Sequence, residues 1–310
     1  MPKVSALMPV YNSNLAYLKE TIESVLNQTF SDFEFLILND SPQNLELENF
    51  ILEYAKKDER IKYFKNPRNL GISGSRNKLI DLAKGEFLAV IDHDDISVKE
   101  RFEKEVAFLE ANEEVGVVGG GIELMSNKKS EFLPTKSVAI KLRLMHKYAF
   151  LHPTTMMRKS ILQENQLSYN ALYSPCEDYK LHCDLIDKTE FANLDEIMLY
   201  YRNYDNTSEQ SSAKMDKITE AIIDENKTKY PQLFKLAEYT RMTKETKIDI
   251  LGLPLFKLTH IYPHTKLYFL GIPLFKITYK TIQNRFVFSM FNQLRLLKIQ
   301  TYFKDTQWKA

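Results

Sequence analysis

Residues 85–95 read Gly-Glu-Phe-Leu-Ala-Val-Ile-Asp-His-Asp-Asp, an apolar run that ends directly in an acidic cluster. The run at 87–91 shows no alternation of apolar and polar residues, which is typical of a strand covered on both faces. Three carboxylates leave this strand together, and their mutual repulsion is costly unless a cation neutralises it. The stretch therefore predicts a buried strand with a cation-binding turn at its carboxyl end.

The sequence before this stretch repeats an alternation of apolar runs and helical periodicity. The pairs of run and helical pattern are 4–8 with 15–26, 33–38 with 47–57, and 61–64 with 73–84. Four strands interleaved with three helices predict an α/β fold, with a mostly parallel, Rossmann-like sheet and helices on both faces. Ligands of such sheets bind where the carboxyl ends of the strands converge. We therefore expect the functional site at the loops 9–12, 39–42, 66–71 and 92–95.

Composition describes a globular protein with balanced charge. The 310 residues are 44% apolar and 27% charged, with a formal net charge of +1. This balance argues against a nucleic-acid partner, because nucleic-acid binders usually carry a clear basic excess. The two cysteines, Cys176 and Cys183, are too few for a disulfide framework and lack a matched histidine pair for zinc. With no secretory signal at the N-terminus and no run of roughly 20 apolar residues, we expect a cytoplasmic protein without a membrane span.

Charge is distributed unevenly along the chain. Residues 241–310 hold 12 basic and 3 acidic residues, a net of +9, so the first 240 residues carry −8. This tail is also rich in aromatic residues and contains a repeat with a period of 19 residues, 247–259 and 266–278, followed by an amphipathic segment at 286–299. Each copy predicts a small hairpin that turns at 252–254 or 271–273. Its basic residues and paired Leu-Phe tips favour contact with an anionic membrane surface; packing on the rest of the chain or on a second subunit of a homo-oligomer is the alternative.

Five motifs in a fixed order carry a family resemblance. They are Met8–Asn12, Phe35–Ser41, Asn69–Asn77 with Arg76-Asn77, Gly85–Asp95 and Cys176-Glu177-Asp178-Tyr179. Together they resemble family 2 glycosyltransferases over about residues 3–205. The resemblance implies a GT-A fold. With the boundary near residue 240 that the charge distribution indicates, we expect a GT-A domain at 1–240 and a C-terminal extension at 241–310. The nucleotide-sugar half of this domain is expected at about 1–95 and the acceptor half at about 96–240.

The resemblance also implies roles for individual residues, with a UDP-sugar as donor and Mn²⁺ or Mg²⁺ as cofactor. The loop from Pro9 to Tyr11 would pack on the base, and Asp40 would accept a hydrogen bond from uracil. The residues nearest the diphosphate would be Arg76 beside it, Asp92 on the ribose side and Asp94 as the metal ligand.

A second implied role belongs to Asp178 in the Glu-Asp pair. Transfer by a single displacement inverts the anomeric carbon, and a base must take the proton of the acceptor hydroxyl. The resemblance gives that role to Asp178. The missing Gln-x-x-Arg-Trp motif and spans of processive synthases favour transfer of a single sugar. The expected acceptor is a lipooligosaccharide or related bacterial surface glycolipid, reached at the inner face of the cytoplasmic membrane.

Other interpretations of these residues remain open from sequence alone. Asp92 to Asp95 could form a polar turn in which Asp95 caps a helix at 96–110, and Asp178 could be the N-cap of a helix. His93 is expected to be a spacer that points away from the site, and the glycines at 119–121 a turn or a source of backbone freedom near the sugar. His152 lies in a stretch, 151–158, that resembles one near the acceptor cleft of family members, and the simpler interpretation, which we favour, is a loop histidine before a strand. Tyr204 occupies the place of a histidine that many members carry as a further metal ligand. An ordinary phenol ligates Mg²⁺ and Mn²⁺ poorly.

Two functions of a different class also fit an α/β sheet with an acidic site. A nucleotidyltransferase or sugar-nucleotide pyrophosphorylase would usually show a Gly-rich basic loop after its first strand, and Tyr11-Asn12-Ser13-Asn14 contains neither glycine nor a basic residue. A non-catalytic protein that binds nucleotide sugars would require the carboxylates at 94 and 178 to be dispensable.

Overall fold

The computed structural model describes residues 1–202 and 209–241 and six strands between 245 and 302. The chain forms two compact units, Met1–Lys229 and Tyr230–Ala310. The helices are α1 (Leu15–Leu26), α2 (Leu45–Lys57), α3 (Gly71–Leu82), α4 (Arg101–Ala111), α5 (Ser137–Leu144), α6 (Lys159–Glu164), α7 (Glu177–Asp184), α8 (Glu209–Lys229) and α9 (Pro231–Arg241). The strands of the first unit are β1 (Val4–Val10), β2 (Phe33–Asn39), β3 (Ile61–Lys65), β4 (Phe87–Val90), β5 (Ile96–Ser97), β6 (Val115–Leu124), β7 (Ser130–Glu131), β8 (Met156–Arg158) and β9 (Glu190–Tyr201).

The first four strands and three helices confirm the predicted alternation. β1, β2, β3 and β4 pair in parallel, with β1 between β2 and β4. Every residue of β1, β2 and β4 is buried, because both faces of these strands are covered. The chain reverses its direction of winding at β1, and such a point is where ligands of open α/β sheets bind.

The second half of the sheet is mixed. The strand order is β3-β2-β1-β4-β8-β6-β9-β5, with β7 paired to β6. β8 runs antiparallel to β4, and β6 and β9 are parallel to each other. The result is a mostly parallel sheet whose first half carries the loops of the expected site.

The helix expected at 96–110 begins later, at Arg101, with Glu100 at its N-cap position. Ile96 and Ser97 instead form β5, which pairs antiparallel with β9. The interpretation of Asp95 as a helix cap is therefore wrong. The conformation of residues 96–97 is set by backbone pairing with a strand about 100 residues away in sequence. Helical periodicity reports only local burial and does not reveal this pairing.

Arg101 fixes the sheet beneath the acidic loop. Its side chain is fully buried, pairs with Glu105 and donates to the carbonyl oxygens of Val90 at 3.0 Å and Thr155 at 3.3 Å. These carbonyls belong to the end of β4 and to the residue before β8. The ion pair therefore holds together the two strands that support the start of the acidic loop.

The glycines at 119–121 lie within β6 and form no turn. A Cβ on Gly120 would come within 2.4 Å of Met198 Cγ, and one on Gly119 within 2.7 Å of Asn193 Oδ1. Side chains of β9 pack so closely against β6 that Gly119 and Gly120 have no room for a side chain of their own.

The second unit contains a six-stranded antiparallel sheet, in which the strands follow one another in chain order. Its strands are β10 (Glu245–Ile250), β11 (Leu253–Ile261), β12 (His264–Phe269), β13 (Ile272–Lys280), β14 (Arg285–Met290) and β15 (Gln300–Tyr302). The two predicted hairpins are β10-β11 and β12-β13. Their registers shift after Ile248 and after Leu267, which are equivalent positions of the repeat. The turn glycines and most of segment 286–299 lie outside the described residues.

Among the described helices, none combines the length and the apolar character that a membrane crossing requires.

Candidate active site

Three adjoining cavities lie at the carboxyl ends of β1, β2 and β4 and extend toward α7. We name them by one residue each: the Tyr11 cavity of about 370 Å³, the Asp94 cavity of about 290 Å³ and the Asp178 cavity of about 720 Å³. Pro9, Ile72 and His93 line both of the first two, whereas Arg76, Asp92 and Tyr201 line both of the last two. The shared walls make one cleft.

All seven predicted site residues lie along this cleft. Tyr11 and Asp40 line the Tyr11 cavity, and Pro9 lies between it and the Asp94 cavity. Asp94 lines the second cavity, Asp178 the third, and Arg76 and Asp92 the boundary between them. Residues 169 positions apart in sequence are thus brought to one surface.

Asp40 organises the start of α3 next to the Tyr11 cavity. Its Oδ1 accepts from Asn66 Nδ2 at 2.7 Å and from the Leu70 amide at 2.8 Å, and its Oδ2 accepts from the Gly71 amide at 2.9 Å. A carboxylate offers about four lone-pair sites. Asp40 therefore retains capacity for a further donor while it caps the helix.

Gly71 is required at this point by the backbone. Its φ of +72° lies in the left-handed region that glycine adopts without a steric penalty. This conformation turns the chain into α3 and presents the Gly71 amide to Asp40.

The loop after β1 exposes Tyr11 at the mouth of the cleft. Tyr11 is 54% exposed, whereas Asn12 next to it donates its amide to Ser41 Oγ at 2.8 Å and Asn14 caps α1. The loop backbone is therefore fixed on both sides. The phenol ring remains free to cover a planar group in the Tyr11 cavity.

Within the acidic cluster, Asp95 has a structural role. It is buried, and its Oδ1 accepts the Arg202 amide at 2.8 Å. Burial raises the pKa of Asp95 to about 8, and the charge of Asp92 adds to this rise. Arg202 also donates from Nε to the carbonyl oxygen of Asp94 at 3.0 Å. These bonds hold the acidic loop against the end of β9.

Asp92 and Asp94 are half-buried and line the Asp94 cavity. Within the described residues, no group of three or more His, Cys, Asp or Glu side chains is arranged to hold a metal ion. Mg²⁺ and Mn²⁺ prefer oxygen ligands, and Mg²⁺ commonly takes one or two carboxylates together with substrate phosphates and water. The oxygen donors present fit such a cation and do not fit an all-protein cage.

Arg76 connects the acidic loop to the start of α7. Its Nη2 donates to Asp92 Oδ1 at 3.0 Å, and its Nη1 donates to Glu177 Oε1 at 3.1 Å. The guanidinium also lies 5.4 Å from the ring centroid of Tyr169. The Asn77 side chain fixes the backbone of Tyr169, because its Nδ2 donates to the Tyr169 carbonyl oxygen and its Oδ1 accepts the Tyr169 amide, each at 2.8 Å. The dipeptide Arg76-Asn77 thus joins α3 to the wall of the Asp178 cavity.

Asp178 is the second residue of α7, which begins at Glu177 with Cys176 at the N-cap position. It is therefore not the N-cap, although its Oδ1 accepts the Tyr179 amide at 2.7 Å. Burial raises the pKa of Asp178 to about 6, and the Arg76 charge opposes this rise. A carboxylate with a pKa in this range, at the wall of a cavity, can accept a proton near neutral pH.

Two buried histidines lie behind the same wall. His152 Nε2 is 3.1 Å from the Tyr169 hydroxyl, and its ring centroid is 5.5 Å from that of His182. Burial lowers the pKa of His152 well below its usual value and that of His182 to about 3. Both rings are therefore neutral at physiological pH. His152 lines the Asp178 cavity, so the interpretation as a simple loop histidine is incomplete.

Three residues at or behind the cleft are not among the predicted site residues. Glu177 lines the Asp178 cavity and was part of the Glu-Asp pair only, and His93 was expected to point away but lines two cavities. Tyr169 lies behind the cleft wall, against Arg76 and His152. For Glu177, the available signal was its position directly before Asp178 in the Glu-Asp motif. No local pattern marks Tyr169, because its place depends on Asn77, 92 residues away. Tyr204, the residue at the expected histidine position, lies outside the described residues.

Comparison with known sequences identifies the family. Residues 5–166, just over half of the chain, match the sequence profile described as glycosyl transferase family 2. An uncharacterized glycosyltransferase of Methanocaldococcus jannaschii is 36% identical over 215 residues, which cover 66% of this chain and 73% of that protein. The O-antigen biosynthesis glycosyltransferase WbnJ of Escherichia coli is 29% identical over 218 residues, which cover 67% and 83%.

Solved structures share the fold of this chain. S. aureus TarS in complex with UDP-GlcNAc aligns with a TM-score of 0.57 at 20% identity, over 76% of this chain and 72% of that one. The mannosyltransferase PcManGT from Pyrobaculum calidifontis, in complex with GDP-Man and Mn²⁺, aligns with a TM-score of 0.52 at 12% identity, over 78% and 76%. These similarities confirm the predicted GT-A fold. By its sequence profile and its relatives, the chain belongs to glycosyltransferase family 2.

Proposed function

We propose that this glycosyltransferase transfers a single sugar from a UDP-sugar to a hydroxyl of a glycan, with inversion of the anomeric carbon and with Mn²⁺ or Mg²⁺. The observation that carries the proposal is the placement of Asp178 and Asp94 in neighbouring cavities whose common wall is Arg76 and Asp92. A base and a diphosphate site in adjoining parts of one cleft are what a single displacement requires.

The nucleotide would occupy the Tyr11 and Asp94 cavities. Tyr11 and Pro9 would pack on the uracil ring. Asp40 can accept one more hydrogen bond, and the imide N–H of uracil would donate it. Asp92 would lie on the ribose side, and Asp94 would bind the cation. A divalent cation held at Asp94 would stabilise the negative charge that develops on the leaving diphosphate. Arg76, beside Asp92, would lie near the same phosphates.

The acceptor would enter the Asp178 cavity. Asp178 takes the proton of the attacking hydroxyl, the oxygen forms a bond to the anomeric carbon, and the bond from that carbon to the diphosphate breaks. The products are UDP and a glycoside of inverted configuration. Neutral His152 would contribute to the wall without adding a positive charge near Asp178.

We infer a glycolipid acceptor of the lipooligosaccharide kind, reached at the cytoplasmic face of the inner membrane, with the basic tail as the peripheral contact. The name of WbnJ places that relative in O-antigen biosynthesis, and TarS has been crystallised with UDP and with UDP-GlcNAc. GDP-Man in PcManGT shows that the same fold also takes another nucleotide sugar.

A screen of nucleotide sugars with Mn²⁺ tests the proposal against its alternatives. We expect transfer or slow hydrolysis of a UDP-sugar with release of UDP, and an inverted product with isolated lipooligosaccharide cores. A nucleotidyltransferase or pyrophosphorylase would instead release pyrophosphate or form a nucleotide sugar from a sugar phosphate. Binding without any turnover would indicate a non-catalytic nucleotide-sugar-binding protein.

A further inference from the structure

The sheet of the second unit separates its residues into two chemically different faces. Residues at directly opposite positions of an antiparallel pair lie on the same face, and successive residues alternate between faces. The registers place Lys247 opposite Lys257, and Lys266 opposite Lys276. Lys280 stands opposite Arg285 one strand further. The alternation assigns these six basic residues to one face, which we call the lysine face.

The other face has a different composition. Its residues in β10 to β14, outside the segments beyond the two register shifts, include no Asp, Glu, Lys or Arg. They are Thr246, Ile248, Phe256, Leu258, His260, Thr265, Leu267, Phe275, Ile277, Tyr279, Phe286, Phe288 and Met290. Antiparallel sheets commonly pack one apolar face and leave the polar face to solvent. The lysine face is therefore the one suited to meet a partner.

The arrangement of lysines on this face is unfavourable for folding alone. Like charges directly opposite each other destabilise an antiparallel pair. The lysine pair nevertheless occurs twice, because Lys247 and Lys257 recur as Lys266 and Lys276 at the repeat distance of 19 residues. Glu245 is the only acidic residue that the same registers, outside the segments beyond the two shifts, place on this face. A local conflict that is built in twice is typical of a binding surface.

We propose that the lysine face lies flat on the anionic headgroups of a membrane. Closely spaced basic residues need closely spaced negative charges, and anionic lipids supply these across a plane that matches a sheet face. This contact differs from insertion of Leu-Phe tips, because Phe256 and Phe275 stand at positions of the other face. The inference deepens the proposed function, since it names the surface that would hold the enzyme near a lipid-linked acceptor.

The test uses full-length protein in which one lysine of each repeated pair is reversed, Lys257→Glu with Lys276→Glu. The matched control is Lys99→Glu with Lys129→Glu, which makes the same charge change at exposed positions of the first unit. Co-sedimentation is measured with vesicles of phosphatidylcholine alone and with added phosphatidylglycerol. We expect wild type and control to bind only the anionic vesicles and to dissociate as salt rises. The tail variant should bind these vesicles on the order of 10²–10³-fold more weakly.

Thermal unfolding separates loss of binding from loss of folding. The reversals create opposite charges at opposite positions, which stabilise an antiparallel pair. The tail variant should therefore unfold at a temperature no lower than that of wild type. A lower unfolding temperature would contradict the register on which the proposal rests. A second variant, with Lys247, Lys257, Lys266 and Lys276 all changed to Gln, removes the charges without creating acidic ones and should also lose vesicle binding.

Three binding results would overturn the proposal. They are undiminished vesicle binding by both tail variants, an equal loss in the control, and a change in oligomeric mass without a change in vesicle binding. The last would identify an interface with a second copy of the chain. Transfer to a small soluble acceptor is measured in parallel and should match wild type. Vesicle binding as expected, in a protein that turns over no nucleotide sugar, would contradict the proposed function and leave the membrane surface in place.

Discussion

Arg76 donates to Glu177 at 3.1 Å across 101 residues of sequence, and both side chains are almost fully buried. The bond joins α3, whose first residue Gly71 donates to Asp40 beside the Tyr11 cavity, to the first turn of α7, which carries Asp178. A buried ion pair of this kind is costly to break, because removal of one partner leaves the other charge uncompensated.

Arg76→Met should therefore lower the free energy of unfolding by about 3–5 kcal/mol. It should also move the pH at which activity appears to higher values, because the Arg76 charge opposes the rise in the pKa of Asp178. Denaturant unfolding and a pH–rate profile measure the two effects. Arg68→Met, at an exposed position of the preceding loop, is the control. Equal stability of the two variants would contradict the bridging role of Arg76.

Asp178→Asn should lower kcat by roughly 10²–10⁴-fold, the range expected for loss of a general base. The affinity for UDP should remain near that of wild type, because Asp178 lies outside the Tyr11 and Asp94 cavities. Steady-state kinetics and UDP titration distinguish the two quantities. A parallel loss of UDP affinity, or a product that retains the donor configuration, would remove Asp178 from the role.

The pH dependence follows from the same carboxyl. Its folded-state pKa is raised to about 6, so kcat should increase as pH rises through about 6 and then level off as the base ionises. The folded state favours the protonated form relative to the unfolded chain, whose pKa is about 3.9. The contribution of Asp178 to the free energy of unfolding is therefore stabilising below about pH 4 and is lost between about pH 4 and pH 6. A profile for Asp178→Asn with the same rising limb would assign the limb to another group.

Asp94→Ala should abolish transfer and metal-dependent UDP binding together, because the diphosphate and the cation would be held as one unit. Asp92→Ala should weaken UDP binding less completely. Calorimetric titration of UDP with and without Mn²⁺ measures the coupling directly. Wild-type turnover by Asp94→Ala in EDTA would show that the acidic loop binds no catalytic metal.

Asp40→Asn should destabilise the protein as well as weaken UDP binding. An amide in place of the carboxylate presents a donor to at least one of the Asn66, Leu70 or Gly71 N–H groups, and an unpaired buried group costs about 1–3 kcal/mol. Thermal unfolding and UDP titration are measured side by side. Asp81→Asn, at an exposed position of α3, is the control. Weaker UDP binding at unchanged stability would mean that Asp40 contacts the nucleotide without organising α3.

Local pattern determined much of the first half of the fold. β1 to β4 and α1 to α3 follow the predicted order. Each of these elements could be predicted because its burial pattern is visible in the spacing of apolar residues within the element itself. Asp92 and Asp94 could be identified for the same reason, since they directly follow a recognisable strand. The tail hairpins were likewise visible in the 19-residue repeat.

Tertiary structure decided the features that depend on distant partners. The segment at 96–97 is a strand because β9 pairs with it, and Gly119 and Gly120 are glycines because β9 packs closely against them. The bond between Arg76 and Glu177 and the position of Tyr169 depend on contacts more than 90 residues apart in sequence. The sequence therefore determined which carboxylates stand at strand and helix ends. Only folding decided which positively charged side chain pairs with each carboxylate. An ion pair requires proximity in space and leaves no periodic pattern along the chain.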